Sequence, residues 1–338
     1  MRTAFFRRTI LLFSYFIIPV FSASAQPEVS VFTFLSKRDS ALLTLELDLP
    51  SLLAGKKTNT YFSAILRLEN GQEIQTQVRP RGKFRRRISE IPPLKFKFSK
   101  KDLKSLHLDT LNEVRLVLPQ SFDNEGEARL QKEYLAYRMY EKISPYHVKA
   151  RLIRLCLYDQ STRSAHPTVW AMLLEHEEEI LARLGGKAVQ EFGLPVDSLD
   201  SYYAALNVAF QYMIGNTDWS VPDQRNILLY KETSGGKIIP IPYDFDFSGL
   251  VDAPYATPTK ESGLSSVRDR ALMADGLNKR ALKQAIKVLM EQETYFIESC
   301  KRAHLNHRQT KLVQQYLADF FSAIKQYQEV PVRIKATS

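Results

Sequence analysis

Between Ile214 and Gly249 the chain reads IGNTDWSVPDQRNILLYKETSGGKIIPIPYDFDFSG. Asp218, Asn226 and Asp244 stand in it at a spacing suited to chemistry on a phosphate. A helix ends, an Asp follows in a loop, and an Asn opens the next strand. A tight turn at Gly235-Gly236 then returns the chain to Asp-Phe-Asp. In phosphoryl transfer, one carboxylate orients the attacking hydroxyl, while a downstream Asn and a second carboxylate hold Mg²⁺ on the nucleotide phosphates. That layout casts Asp218 as the catalytic residue, with Asn226 and Asp244 as metal ligands. Asp218 and Asn226 stand further apart than in the loop of ordinary kinases. Asp223 is closer to Asn226 and competes for the base role. Asp246 reads equally as a structural hydrogen-bonding residue or a second ligand.

Such a site also needs a cation on the phosphates and a carboxylate that steadies it. Leu94, Phe96 and Phe98 alternate with Lys95 and Lys97. In a strand this places both lysines on one face and three apolar side chains on the other. Glu133, near the start of the next predicted helix, is the expected partner of Lys97 or Lys95. No Gly-rich nucleotide loop is visible; Arg81-Gly82-Lys83 is a short substitute and brings Arg81 into the nucleotide-binding set.

These residues need elements to carry them. From Val29 to about Val117 the segments read as strands: Ala41 to Leu47, Thr60 to Leu68, Ile74 to Arg79, Leu94 to Phe98 and Val114 to Leu118. Asn70-Gly71 lies between two of them, a hairpin signal. Leu130 to Ile143 reads as an amphipathic helix, with Leu135, Met139 and Ile143 four apart. Arg151 to Tyr158 and Thr168 to Leu174 are further strands. Leu199 to Ile214 is a helix stopped by Gly215. A hairpin follows, Asn226–Tyr230 with Lys237–Tyr243, and Ser265 to Tyr327 is mostly helical. The predicted fold class is α+β and two-lobed.

The start of the chain carries Arg2, Arg7 and Arg8, an apolar run from Thr9 to Phe21, and Ala23-Ser24-Ala25. That order is a secretory signal peptide over residues 1–25, leaving Gln26 as the new N-terminus and the protein exported, periplasmic or secreted. The run is shorter than a membrane anchor and contains Pro19. No later stretch is apolar enough to span a bilayer, so no membrane span is expected after cleavage. Cleavage removes three arginines and no acid, lowering the net charge from +10 to +7. Much of that excess lies in Arg79–Arg87 and Lys95–Lys101, a local cluster suited to an anionic ligand rather than to a nucleic-acid surface. The outer arginines read as a charged strand edge. Cys156 and Cys300 are compatible with a disulfide in an oxidising compartment or with two buried thiols. The six histidines show no metal or triad spacing.

The stretches RPRGKFRR, PPLKFKF, QKEYLAYRMY, FQYMIGNTDW, RNILLY and PIPYDFDFSG together resemble the CotH-like kinase family, relatives of spore coat protein H, in its exported bacterial branch. The resemblance runs from about Thr60 to Arg270. It implies a two-lobed atypical protein-kinase-like fold, with a strand-rich N-lobe over residues 26–175 and a mainly helical C-lobe over 176–338. It implies ATP and Mg²⁺ or Mn²⁺ as cofactors and a hydroxyl of an unidentified protein substrate as acceptor. It matches Asp218 to the catalytic Asp, Asn226 and Asp244 to the metal ligands, and Lys97 or Lys95 to the ATP lysine. Export would place this site where ATP is scarce. The alternative is a catalytically silent, kinase-like binding or scaffold protein of the envelope.

Overall fold

The computed structural model describes residues 29–37, 41–326, 331, 333 and 334. The signal peptide expected over residues 1–25, and Gln26 behind it, lie outside the described residues. Among the described residues the first half holds eight strands: β1 (Leu42–Leu47), β2 (Phe62–Leu68), β3 (Glu73–Pro80), β4 (Leu94–Phe98), β5 (Glu113–Val117), β6 (Ala150–Asp159), β7 (Ser164–Ala165) and β8 (Val169–Leu174). Their lateral order is β1-β2-β3-β4-β5-β8-β6, and β1 also pairs with β6. The β1–β6 pairing is parallel, with Leu43 opposite Leu155 and Leu45 opposite Leu157. All the other neighbours in this ring are antiparallel. Seven strands therefore close into a mixed β-barrel, and β7 is a short addition to β6.

This corrects the expectation of a two-lobed kinase-like fold. An open N-lobe sheet would leave β1 as an edge, with unpaired backbone N–H and C=O groups. Here the ten-residue β6 pairs with β8 along Ala150–Leu155 and with β1 along Arg154–Asp159, so both long edges of β1 are satisfied.

Alternation fills the barrel. Leu43, Leu45 and Leu47 of β1, Leu94, Phe96 and Phe98 of β4, and Leu155 and Leu157 of β6 all point into one apolar core. Three short helices, α1 (Val31–Leu35), α2 (Leu49–Ala54) and α4 (Lys100–Ser105), add Val31, Phe32, Leu52 and Leu103 to it. Between β3 and β4 lies the single turn α3 (Arg85–Ile88).

The remaining helices pack around the barrel. α5 (Asn124–Ile143) begins where Asp123 accepts the Gly126 N–H at 2.6 Å, and lays Leu135 and Met139 against the outer residues Leu152, Met172 and Leu174 of β6 and β8. α6 (Glu177–Leu184) follows β8. α7 (Ser201–Ile214), α8 (Lys279–Glu291), α9 (Glu293–Ser299) and α10 (His307–Gln326) extend the same second core through Phe210, Leu289, Phe296 and Phe320. That core joins residues on both sides of position 175. A small antiparallel sheet, β9 (Gly186–Ala188), β10 (Ile227–Glu232) and β11 (Ile239–Pro242), carries the hairpin read from the sequence, and β12 (Arg270–Ala271) pairs with β13 (Arg333–Ile334). No helix among the described residues is long and apolar enough to cross a membrane. Cys156 and Cys300 are both free thiols.

Candidate active site

α7 is started by Asp200, whose carboxylate accepts the Tyr202 and Tyr203 N–H groups at 3.0 Å, and it is stopped by Gly215 at φ +66°. A side chain at Gly215 would also collide with the Tyr316 hydroxyl. Buried Asn216 then organises the loop. Its Nδ2 donates to Gln211 Oε1 at 2.9 Å, its Oδ1 accepts the Asp218 N–H at 3.0 Å, and its carbonyl accepts the Trp219 indole N–H at 3.2 Å. Asn216 thereby fixes the backbone of Asp218 at the end of the loop.

Asn226 and Asp244 flank the β10–β11 hairpin. Ile227 pairs with Pro242, and the Tyr243 N–H donates to the Asn226 carbonyl at 3.0 Å. Both residues sit in the left-handed region, at φ +55° and +64°. Asn and Asp adopt that conformation more readily than other non-glycine residues. Asn226 Nδ2 donates to the Asp218 carbonyl at 2.7 Å and to Asp218 Oδ2 at 3.0 Å, which turns its Oδ1 away from Asp218. The Asp244 N–H donates to the Tyr137 hydroxyl of α5 at 2.9 Å. Among the described residues no side chain forms a hydrogen bond or ion pair with the Asp244 carboxylate.

Asp218, Asn226 and Asp244 line one cavity of about 520 Å³. That volume lies in the range of small-molecule and cofactor sites. Arg81, Lys83, Arg85 and Arg115 line it as well, together with Glu133, Tyr137, Asp246 and Phe247. The barrel therefore contributes most of the cations, and the loop and hairpin contribute carboxylates.

Arg85 is the anchor of the cationic wall. Its side chain is 10% exposed; Nη1 donates to Glu133 Oε2 at 2.8 Å and Nη2 to the Leu118 carbonyl at 2.7 Å. Its buried Nε has no hydrogen-bond partner and lies 4.0 Å from Asp246 Oδ2. Asp246 in turn accepts the Tyr255 hydroxyl at 3.0 Å. Burial, reinforced by Asp244, raises the Asp246 carboxyl well above the ordinary carboxylate range. Burial also pushes Glu133 up to about 7, against the opposing pull of Arg85. Arg81 is lowered to about 10 by burial and by its neighbour Arg115. Asp218 is raised by burial and by Asp244, while Arg225, at 3.2 Å, and Asn226 pull it back down.

The two lysines lie elsewhere. Lys95 and Lys97 occupy the outer face of β4, because Leu94, Phe96 and Phe98 take the inner one. Lys95 Nζ pairs with Glu113 at 2.5 Å, and the Lys97 head group lies over the Tyr61 ring, 5.4 Å from its centre. Neither lysine lines the cavity, and Glu133 takes Arg85 in place of either. Arg81 does line the cavity. Asp223 lines its rim, exposed, with its carboxylate accepting from the Ser220 hydroxyl at 2.8 Å.

Sequence reading placed Arg85 only within the basic cluster and missed Arg115, Tyr137, Arg225 and Tyr255. The aromatic residues carried no pattern to separate them from ordinary packing. Arg85 was hidden in the run Arg85-Arg86-Arg87, where only the turn of α3 sends one side chain inward.

Among the described residues no three His, Cys, Asp or Glu side chains group closely enough to hold a metal ion by themselves. A divalent ion would instead take Asp244 and Asn226, with the rest of its shell from the ligand and water. Both protein donors are oxygens, which suits Mg²⁺ or Mn²⁺, and the unpartnered Asp244 carboxylate fits that role. No protein-family model matches this chain, and no curated protein matches it either.

Proposed function

We propose that this cavity is a phosphoryl-transfer site, taking ATP with Mg²⁺ or Mn²⁺ and passing the terminal phosphoryl group to a protein hydroxyl. The observation that carries the reading is the meeting, in one cavity, of Asp218, Asn226 and the unpartnered Asp244 with the Arg81 and Arg85 guanidinium groups. The resemblance to the CotH-like family supports the same chemistry and the same three residues, now on a closed barrel.

When bound, the divalent ion neutralises charge on the phosphates. Asp244 and the Asn226 amide oxygen would hold it. Asp218 accepts the hydrogen bond of the acceptor hydroxyl and takes its proton as the new O–P bond forms and the old one breaks to release ADP. Its raised pKa suits a base, which works best when its affinity for protons is above that of an ordinary carboxylate. Arg85, fixed by Glu133 and Leu118, presents a rigid cation to phosphate oxygens at no cost in reorganisation. Export, through the N-terminal segment, belongs to this reading.

The test is incubation of the mature protein with labelled ATP, Mg²⁺ or Mn²⁺ and a periplasmic extract, beside a thermal-shift measurement with nucleotide. Metal-dependent stabilisation and labelled protein product are expected. Absence of nucleotide binding with either metal would reject the reading in favour of a silent binding protein.

A further inference from the structure

Beside the cavity lies a second, more open groove of about 1020 Å³. Gly82 and Lys83 line both. Its walls carry five cations: Lys56, Lys57, Lys83, Arg86 and Arg87. No Asp or Glu lines it, and among the described residues none of the five forms an ion pair with a carboxylate.

This groove is built rather than left over. Arg86 ties the turn after α2 to α3, donating to the Lys56 and Thr58 carbonyls and, at 3.2 Å, to Asn59 Oδ1. Lys56 Nζ returns the contact, donating to the Ser89 carbonyl at 2.5 Å. Arg87 rests over the Phe84 ring, 5.7 Å from its centre. Two cations thus fix the walls through backbone carbonyls, and Lys57, Lys83 and Arg87 stand exposed. Clustered like charges repel one another, and an anionic partner relieves that repulsion.

We infer that the groove docks an acidic segment of a polypeptide, and that this polypeptide is the acceptor whose hydroxyl reaches Asp218. The docking stands on the groove alone; the acceptor role rests on the phosphoryl-transfer reading. Single-stranded nucleic acid fits less well, because no aromatic side chain lines the groove to stack on a base. A membrane surface fits less well too: the site is concave, and its apolar lining is limited to Leu53 and Ala54. Gly82 is at φ +81°, and the space where a Cβ would stand has no atom within 4 Å. Gly82 and Lys83, which line both spaces, are thus where a chain in the groove would come next to the cavity.

Two measurements test this on the mature protein. Without nucleotide, fluorescence anisotropy compares a labelled Asp/Glu-rich peptide with a Ser/Gly peptide of the same length. The acidic peptide should bind about tenfold tighter or more at low salt, and the preference should fade as salt screens it. The Lys57→Glu/Arg87→Glu variant should lose that preference while keeping the wild-type melting temperature; Lys57→Gln/Arg87→Gln replaces it if charge reversal unfolds the protein. Equal binding of both peptides, an unaffected variant, or binding of anionic phosphatidylserine vesicles through these residues in place of peptide would overturn the inference. With Mg²⁺ and ATP, serine-containing acidic peptides should be labelled faster than basic ones, and the advantage should vanish in the variant. Equal labelling of all peptides rejects the groove as the acceptor's dock. No labelling of any peptide, with acidic binding intact, rejects the transfer reading instead.

Discussion

Arg85 of α3 and Glu133 of α5 meet at 2.8 Å in the wall of the cavity, a guanidinium where a strand lysine was expected. Glu133 is 2% exposed, so it depends on this partner for its charge. Removing one member of a buried pair leaves an uncompensated charge and costs about 3–5 kcal/mol, whereas replacing both can be nearly neutral. Arg85→Met should therefore destabilise strongly, and Arg85→Met/Glu133→Leu should recover much of the loss. Urea denaturation of the two single variants and the double variant checks this. Additive losses would mean that the pair is not coupled.

Lys95 and Lys97 give the complementary prediction. They contact Glu113 and Tyr61 on the outer face of β4, away from the cavity lining. Lys95→Ala and Lys97→Ala should leave stabilisation by Mg²⁺ and nucleotide within about twofold of wild type in apparent Kd, and Arg85→Lys should weaken it, because a single ammonium cannot reproduce the fork. Calorimetric titration would expose the error if either alanine variant lost binding.

Asp244 and Asp218 should separate on mutation. On the proposed phosphoryl-transfer reading the unpartnered Asp244 carboxylate would hold the ion, so Asp244→Ala should abolish metal-dependent nucleotide binding. Asp218 is held by Asn226 and Arg225 and, on the same reading, would act on the acceptor, so Asp218→Ala should bind nucleotide nearly normally and lose turnover by about a hundredfold or more. Calorimetry for binding and label transfer for turnover distinguish the two. The reverse pattern would exchange their roles.

The local elements were legible because their signals are local. Asn70-Gly71 joins β2 to β3 with Gly71 at φ +81°, and the Leu94-Phe96-Phe98 alternation assigns the inner face of β4. Gly215 ends α7 at the residue expected, and the hairpin between Asn226 and Asp244 brings both to one cavity. Closure of the barrel was not legible. It rests on Leu43 facing Leu155 across a parallel pairing, and the pattern of either strand is the same whether its neighbour is β6 or water. The cation was not legible for a related reason. Arg85, Arg86 and Arg87 are chemically identical, and only the direction of one short turn makes the first an ion-pair partner, the second a staple and the third a surface charge.

Export predicts a chain that starts at Gln26 in cells. N-terminal sequencing of the native protein should begin there or within a residue or two of Ala25. Recovery of a cytosolic protein still carrying Met1 would exclude it.

Glu179 supplies a test of pH dependence that is independent of the cavity. It is buried on α6, where its carboxylate accepts the Ser30 hydroxyl, and burial pushes it up to about 7. A carboxyl whose folded pKa is raised favours the fold while protonated, so its stabilising effect is present below the unfolded value and is lost as pH rises toward 7. Glu133 acts in the same direction. His176, lowered to about 4 by burial and by Lys95, acts in the opposite direction, since the unfolded chain binds its proton more tightly between about 4 and 6.5. Hydrogen bonds from Thr162 and Ser161, outweighing burial, hold Asp159 down to about 2, so its contribution is lost only at lower pH. The wild-type curve thus sums opposing slopes, and the informative readout is a difference. Glu179→Gln keeps a hydrogen-bond acceptor for Ser30 and removes the titration. Relative to wild type it should gain on the order of 2 kcal/mol between pH 5 and pH 8, measured by urea denaturation at both. A difference that does not change between the two pH values would show that Glu179 titrates no higher in the folded protein than in the unfolded chain.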